Sequence, residues 1–431
     1  MKIGVQTWGS NGDIRPFLAL AGGLSAAGHD VTLVVTSVDG KDYSAYAKPL
    51  NIRLVQTADN FDPDMAAEFE RKLWRVNKRN VVKHLQIIMD AVFFPLVDEM
   101  YAASKQLCDG NELVIGHMAM YPLRIAAQKS DRPFATVSLN HSGISSAFQP
   151  PGGLPNLGKW ANAKTWNAVH GFVDRYLAGR INALYTRENV APVRHVLESW
   201  ESGRLSLIAV SSVFCRAQPD WGNYRHVCGF LNLPDGAEGW SMPGDLREFI
   251  EARPPPVFIT LGSMTAIESR PAESAKALME AVRLSGARAI IQHRWDDIGN
   301  LKTGGDEITE AAAGPGIFRL ESAPHQMIFP ECAAVVHHGG AGTAMTAARS
   351  GCPSVVVQHF CDQLFWGSQL HRLGIAPKPL HMKTATPKKI AGAIRQALDS
   401  RDMKPRAEKI GREMKSEDGV GNAVKLIEAA L

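Results

Sequence analysis

Two turns of this sequence bring together residue types that can do chemistry. The apolar run Ala333–Val336 has the character of a buried parallel strand, and His337, His338, Gly339, Gly340, Ala341, Gly342 and Thr343 follow it. The pattern then turns helical from Ala344 to Arg349 and stops at Gly351-Cys352-Pro353. Glycines at a strand-to-helix handover present unpaired N–H groups and the positive end of a helix dipole, and both suit a diphosphate. The turn is not a dinucleotide fingerprint, because a third glycine is missing at the required offset, and no Gly-Lys-Ser/Thr makes it a Walker loop. A second apolar run, Ser354–Val357, leads to His359, Phe360, Cys361, Asp362 and Gln363. A carboxylate beside a carboxamide can hold sugar hydroxyls, since one accepts while the other both donates and accepts. Ligands of open parallel sheets sit beyond the carboxyl ends of strands, so both groups would serve one crevice.

The other turn opens the chain. Lys2–Thr7 reads as a strand, Trp8-Gly9-Ser10-Asn11-Gly12-Asp13 as a turn, Ile14–Ala27 as a helix capped by Gly28, and Asp30–Thr36 as the next strand. Asp13 has two roles open to it. It stands where an N-cap of that helix would stand, and a carboxylate there could also take a proton from a substrate hydroxyl. Ser10 adds a hydroxyl to the same turn. Two further strands, Glu112–His117 and Phe134–Leu139, should end at the same crevice and carry His117 and His141 there. Each histidine is either a hydrogen-bonded structural ring or a group that assists the base or touches a substrate. Met118, Met120, Phe148 and Trp160 offer apolar lining, with core packing as the other reading.

The elements that must position these residues repeat a strand-then-helix pattern. Ala66–Gln106 reads as one or two amphipathic helices that Pro95 kinks or splits. Ser146–Lys159 is a long Pro- and Gly-rich loop of the kind that forms lids, and Ala161–Leu197 is mostly helical. Ser206–Ser212 and Tyr224–Phe230 are strand-like, and Asn232–Gly244 is the linker. Buried strands then resume at 257–261, 287–292, 316–320, 333–336 and 354–357. Two such halves imply an α/β protein of two doubly wound domains, 1–235 and 245–410, with a closing helical segment at 411–431.

With these residues in view, the chain resembles the family 1 glycosyltransferases of the GT-B fold, in their bacterial and sterol-type branch. The matching pieces are Pro324-His325, the run His337–Thr343, Gly351-Cys352-Pro353 and Asp362-Gln363. At the other end, Gly9-Ser10-Asn11-Gly12-Asp13-Ile14-Arg15-Pro16 matches the branch's G-S-x-G-D-x-x-P segment. The resemblance implies two facing Rossmann-like domains with a cleft between them and a final helix that crosses back to the first. It implies that Asp13 is the general base and that His338 with Gly340, Ala341, Gly342 and Thr343 binds a nucleotide-sugar diphosphate. Gly262 and Ser263 would help hold that diphosphate, Ala323 and His325 would border the base, and Asp362 and Gln363 would bind the sugar. Ser10, His117, Met118, His141 and Phe148 would meet the acceptor. The sequence departs from plant members at Ser322, where they carry Trp, and at Thr346, where they carry Glu; this leaves UDP against dTDP open.

Composition narrows the remaining classes. The 431 residues are 45% hydrophobic and 21% charged, with a formal net charge of +4, which argues against a dedicated nucleic-acid binder. No apolar run approaches the ~18 residues needed to span a bilayer, and the start of the chain reads as a strand rather than a signal peptide. Six scattered cysteines, 108, 215, 228, 332, 352 and 361, without a CxxC pair indicate a reduced, cytoplasmic protein. The expected activity is inverting transfer of a hexose, UDP-glucose being the first candidate donor, to a bulky hydrophobic alcohol or phenol. The nucleotide sugar is a co-substrate, and neither a cofactor nor a metal is expected, for want of an Asp-x-Asp motif at the site. A lipid acceptor would bring the protein into peripheral contact with a membrane, although no strongly basic amphipathic helix is evident in the sequence. The alternatives are a nucleotide-sugar epimerase on the same fold and a non-catalytic nucleotide-sugar-binding protein.

Overall fold

The computed structural model describes the chain except for residues 39, 58–70, 74, 77–79, 153, 234–239, 261–270, 293–315, 322, 360–361 and 431. It divides into two compact units, Met1–Ala237 with Glu417–Leu431, and Glu238–Ser416.

The first unit is built on seven strands: β1 (Lys2–Gly9), β2 (Asp30–Ser37), β3 (Arg53–Thr57), β4 (Leu113–His117), β5 (Phe134–Ser138), β6 (Ser206–Ile208) and β7 (Arg225–Val227). All pairings are parallel and the order is β3-β2-β1-β4-β5-β6-β7. Parallel strands need crossover helices, which cover both faces, so the strands read as apolar runs rather than alternations. On one face Ile3, Val5, Leu33 and Ile115 pack with Phe17 and Leu20 of α1 (Asn11–Ala26). On the other, Val34 and Val114 pack with Met100 and Leu107 of α2 (Val97–Gly110) and with Leu177 and Ile181 of α3 (Lys159–Arg187). Gln6 points into this second layer, where its Nε2 donates to the Met100 carbonyl at 3.0 Å and its Oε1 accepts from the Ser104 hydroxyl at 2.7 Å. A buried amide satisfied in this way pins α2 across β1.

One difference from the sequence reading and one agreement have local causes. The edge strand β3 was not expected; its residues are half-buried or exposed, and its mixed composition gives no apolar run. Pro95 does interrupt its helix: the α-helix Val81–Ile88 passes through a π-turn at Met89–Phe93 and a 3₁₀ turn at Phe94–Leu96 before α2 begins.

The second unit carries β8 (Val257–Thr260), β9 (Ala289–Gln292), β10 (Ile317–Leu320), β11 (Ala334–His337), β12 (Ser354–Gln358) and β13 (Leu380–His381). They too are parallel, in the order β10-β9-β8-β11-β12-β13. After β11 comes α4 (Ala341–Arg349), and α5 (Gln363–Arg372) follows β12. The chain leaves this unit at Glu417, beyond the helix Met403–Lys415 in which the boundary expected at 410 falls. The last helix, α6 (Gly419–Ala429), belongs to the first unit, with Ala423, Val424 and Ile427 buried against the α1 layer. Asn422 Nδ2 donates to the Cys228 carbonyl at 3.2 Å and secures it.

Each sheet reverses its strand order once, between β1 and β4 in the first unit and between β8 and β11 in the second. At such a reversal the neighbouring crossovers run to opposite faces and leave a crevice at the carboxyl ends of the strands.

Candidate functional site

At the reversal of the first sheet, β1 ends at Gly9 and α1 starts at Asn11 with Ser10 as its N-cap. Asp13 is therefore the third residue of the helix and not its cap, which corrects the expected start at Ile14. The reason is local: Ser10 is extended (φ −93°, ψ −179°), and its carbonyl already accepts from Asp13 N–H at 2.8 Å and Ile14 N–H at 3.1 Å. The Asp13 carboxylate folds back so that Oδ2 accepts from both the N–H and the hydroxyl of Ser10, at 3.0 and 3.3 Å. This is the returning half of a capping box, and it places both Ser10 bonds on one oxygen.

Gly9 makes the turn possible. Its φ is +122°, and a Cβ there would lie 2.7 Å from the Asp13 Cγ. Gly9→Ala is expected to cost roughly 1–3 kcal/mol by strained backbone and a displaced carboxylate. A thermal melt would register it as a clearly lowered midpoint, whereas an unchanged midpoint would mean the turn relaxes without strain.

His117 ends β4, the neighbour of β1. Its ring is buried beside Trp8 and Phe17, with centroids at 6.1 and 5.9 Å, and its Nδ1 accepts from Ala119 N–H at 3.4 Å. Burial pulls its pKa down to about 4, so the imidazole is neutral at neutral pH with its proton on Nε2. It is thus built as a packed ring and donor rather than a second base. Met118 accepts from the Ser138 hydroxyl at 3.1 Å through its sulfur and, with Asn140, Ile144 and Trp200, lines a cavity of about 40 Å³. That volume suits one or a few waters and is far below what a sterol-sized ligand needs.

His141 is buried on the segment after β5, and Phe148 is half-buried with the Lys159 ammonium 4.1 Å from its ring centroid. The loop that carries Phe148, read as a lid type, is anchored in several places. Asp220 accepts from the Ser146 hydroxyl and the Ala147 N–H, each at 2.7 Å, and Trp166 Nε1 donates to the Gln149 carbonyl at 2.8 Å. Trp8 was not among the expected site residues. Its half-buried ring stands between Phe93 and His117, and its indole N–H is buried without a hydrogen-bond partner among the described residues. Its polar atom is hidden in an otherwise aromatic residue, and only the fold shows that the described residues leave it without a partner.

At the reversal of the second sheet, β11 delivers His337 and His338, and α4 begins after Gly340. The N-cap of α4, Gly340, has no side chain to cap with, the first turn holds no acid, and Gly340, Ala341, Gly342 and Thr343 are half-exposed among the described residues. The leading N–H groups of a helix have no intrahelical acceptor, so this end is open to an anion. Gly339 is at φ +93°, where a Cβ would meet Val356 Cγ1 at 2.8 Å, and a Cβ on Gly340 would run into the His338 ring, with Cε1 at 3.2 Å. The backbone thus passes close against the imidazole.

Asp362 is the N-cap residue of α5, and its Oδ2 accepts from Trp366 Nε1 at 3.0 Å. Gln363 is buried and its Oε1 accepts from His359 N–H at 2.7 Å. His325 stacks on Phe329 at 4.7 Å with an interplanar angle of 15°, and its Nε2 lies 2.7 Å from Oε1 of Gln292, the last residue of β9. Ala323 is buried in the same apolar cluster as Phe258 and Phe329. The ends of β9, β11 and β12 thus bring Gln292, His325, His338 and Gln363 to one edge of this sheet. Gly262, Ser263, Ser322 and Cys361 lie outside the described residues; the other five cysteines are buried and free.

Burial and mutual repulsion act together on the histidines of this edge. His337 is pulled down to about 3 and His359 to about 4, each mainly by desolvation, and His338 is held well below the ordinary value by desolvation and then by His337 and His359. Each is therefore neutral at neutral pH, and His338 meets an anion as a hydrogen-bond donor rather than a cation. An unfolded chain protonates these residues near pH 6.5, whereas the folded chain keeps His359 neutral down to about pH 4, His337 down to about pH 3, and His338 neutral well below the ordinary range. Stability is consequently complete above about pH 6.5 and falls as acid is added, by up to ~1.4 kcal/mol per pH unit for each such histidine. A urea midpoint distinctly lower at about pH 5 than at about pH 7.5 is expected; equal midpoints would mean that the rings are hydrated and protonate freely.

Comparisons with known proteins come to the same fold. Residues 304–429 match the family model "Erythromycin biosynthesis protein CIII-like, C-terminal domain". One sterol 3-beta-glucosyltransferase of Arabidopsis thaliana is 37% identical over 206 residues, covering 48% of this chain and 30% of that protein. A second from the same plant is 25% identical over 98% of this chain and 67% of its own length. The O-mycaminosyltylonolide 6-deoxyallosyltransferase of Streptomyces fradiae is 28% identical over 99% of this chain and 97% of its own. The chain thus spans less than a third of the first relative and nearly all of the third. Among solved structures, the glycotransferase of kitacinnamycin superposes with a TM-score of 0.69 at 18% identity, covering 100% of this chain and 99% of that one. The glycosyltransferase VinC in complex with dTDP gives 0.65 at 20% identity, with coverage of 100% and 99%. The two parallel α/β units are those of the GT-B fold, as the motif resemblance implied.

Proposed function

We propose that this chain, which belongs with the family 1 glycosyltransferases of the GT-B fold, moves a hexose from a nucleotide sugar to a hydroxyl of a bulky hydrophobic molecule. The observation that carries this reading is the uncapped, half-exposed start of α4 beside the neutral His338, a set of fixed donors suited to a diphosphate. The acceptor class rests on relatives named for a sterol and for O-mycaminosyltylonolide. UDP-glucose is the first donor to test because two of those relatives are named glucosyltransferases, and dTDP-glucose the second because VinC was solved with dTDP.

In the proposed inverting step, Asp13 takes the proton of the acceptor hydroxyl as that oxygen bonds to the anomeric carbon. The bond from that carbon to the diphosphate oxygen breaks, and its electron pair leaves with the nucleoside diphosphate. The α4 amides and the His338 N–H stabilise the charge that gathers on the leaving group. By resemblance, Gly262 and Ser263 join them, while Asp362 and Gln363 hold the sugar. The Ser10 N–H and hydroxyl meanwhile hold Oδ2 of that carboxylate in the turn.

Incubation of each donor with a panel of sterols, terpenoids, polyketides, flavonoids and hydroxy-lipids, read by mass spectrometry, tests the reading. A product heavier by one hexosyl unit, with nucleoside diphosphate released only when acceptor is present, is expected. A rearranged sugar nucleotide formed without acceptor would point to the epimerase instead, and binding without any product to a non-catalytic role. Gly340→Ala, which crowds His338, should weaken UDP or dTDP binding by about tenfold in calorimetry, the loss of roughly one charge-assisted hydrogen bond. Unchanged affinity would remove the α4 turn from the donor site.

A further inference from the structure

We infer that the outer face of α3, with the loop before it, is a docking surface for a lipid bilayer bearing anionic headgroups. Among the described residues seven large hydrophobic side chains are exposed, and five of them fall here: Leu154 (49%), Leu157 (74%), Trp160 (77%), Phe172 (55%) and Tyr176 (39%). Single exposed hydrophobics are ordinary, but five on one helix and its lead-in loop form a patch that calls for a partner. The exposed positions of α3 recur at 160, 164, 167, 168, 171, 172, 175, 176, 179 and 180, one broad arc of the helix, while Trp166, Val173, Leu177 and Ile181 face the core. Trp160 and Phe172 are about 18 Å apart along the axis at 1.5 Å per residue, so the arc is long enough to lie along a surface.

Charge selects the partner. Residues 154–187 contain five Lys or Arg and one acid, a formal +4 that equals the net charge of the whole chain. The acid, Asp174, is half-buried and accepts from His195 Nδ1 and Val196 N–H at 2.7 and 2.8 Å, so it does not oppose the exposed cations. Lys164 lies 5.9 Å from the Trp160 ring centroid, and Lys83, from a neighbouring helix, lies 5.5 Å from that of Tyr176. Arg175 and Arg180 continue the cationic flank; Arg180 also meets Asp90 at 3.5 Å. Aromatic and leucine side chains interleaved with Lys and Arg are what an interfacial helix presents, the rings entering the headgroup boundary while the cations meet lipid phosphates. Arg187 at the far end pairs with Asp98 at 2.7 Å, so the outward cations outside these ion pairs, among the described residues, are Lys159, Lys164 and Arg175, and another protein surface would not require this pairing of outward aromatics with net positive charge. The sequence showed no such helix because α3 is apolar on its core side too, and only the packing shows which of its hydrophobics are left outside.

Co-sedimentation with vesicles tests the inference without any sugar or acceptor, so its outcome is independent of the proposed reaction. The full chain is expected to bind phosphatidylcholine vesicles containing roughly 30 mol% phosphatidylglycerol at least about tenfold more tightly than pure phosphatidylcholine, and to be released as salt is raised. The double variant Trp160→Ser/Phe172→Ser should lower binding to the anionic vesicles by about tenfold or more, and Lys164→Glu/Arg175→Glu should abolish the preference for them. All four side chains are exposed, so circular dichroism spectra should match the unaltered protein. Absence of vesicle binding, or binding that neither variant alters, overturns the inference. So does a dimer in light scattering that the Trp160→Ser/Phe172→Ser variant dissociates, because the face would then be covered by a second copy of the chain.

Discussion

Asp13→Asn is expected to lower turnover by roughly 10²–10⁴ while leaving the dissociation constant for the nucleotide sugar unchanged. The size of the loss follows from the role: an amide cannot take the acceptor proton, so the attacking oxygen must lose it unaided. The exchange is nearly isosteric, and the Asn oxygen can still accept from Ser10 N–H, now 3.0 Å from Oδ2, so α1 keeps its start. The helix loses only the charge that favours its N-terminus, about 0.3–1 kcal/mol. The capping and catalytic roles of this residue are therefore separable by experiment. A variant with wild-type melting behaviour and collapsed turnover assigns the proton to Asp13. A variant that melts early but turns over normally assigns it to the cap alone, and the proposed base is then elsewhere. The neutral, buried His117 is a poor substitute, because the nitrogen that could accept is already bonded to Ala119 N–H.

Asp362→Ala should raise the donor KM by roughly 10–150-fold with little change in the acceptor KM, the range for losing a hydrogen bond to a charged group. The structure adds a competing explanation that the experiment must remove. Asp362 Oδ2 also holds the indole N–H of Trp366 at 3.0 Å, and Trp366 is completely buried in α5. Alanine at 362 would therefore strip the proposed sugar contact and the indole's partner at Oδ2 together, and the second loss by itself costs about 1–3 kcal/mol of stability. Trp366→Phe removes the second effect from consideration, since it deletes the donor and leaves the carboxylate. If Trp366→Phe leaves the donor KM near that of the unaltered protein while Asp362→Ala raises it, the carboxylate touches the sugar. Equal rises in both variants would make Asp362 a positioning residue that acts through the packing of α5. Gln363 calls for a different expectation. Its carbonyl oxygen is committed to His359 N–H, an acceptor that Gln363→Glu keeps, so that exchange should spare the β12–α5 turn and weaken donor binding only through the lost amide N–H.

Much of the fold was legible because its determinants are local. The apolar runs that became β1, β4, β8, β11 and β12 were all expected to within two residues of where they lie. Parallel strands covered on both faces are near-continuous hydrophobic segments, and glycine marks where β1 and β11 hand over to a helix. Of the four edge strands, β7 and β10 were expected and two escaped for the same reason inverted: β3 is only partly covered and β13 is two residues long, so neither leaves an apolar run. The start of α1 was misplaced because Ser10 and Asp13 are both good capping residues. Which of them caps is decided by where β1 ends, and the positive φ of Gly9 sets that point.

The chemistry of each turn was thus determined by the sequence itself: amides and glycines for an anion after β11, a serine and a carboxylate after β1, an acid and an amide before α5. Those properties depend on covalent identity and on neighbours three or four positions away, within reach of a turn or a cap. The tertiary structure alone decided which strand ends adjoin, because β1 finds β4 only after a crossover in which Gln6 bonds to Met100, 94 positions away. It alone made the histidines neutral, since proton affinity follows the water that packing removes. And it alone left Trp160 and Phe172 facing outward, because a helix apolar on several sides does not state which side its neighbours will cover.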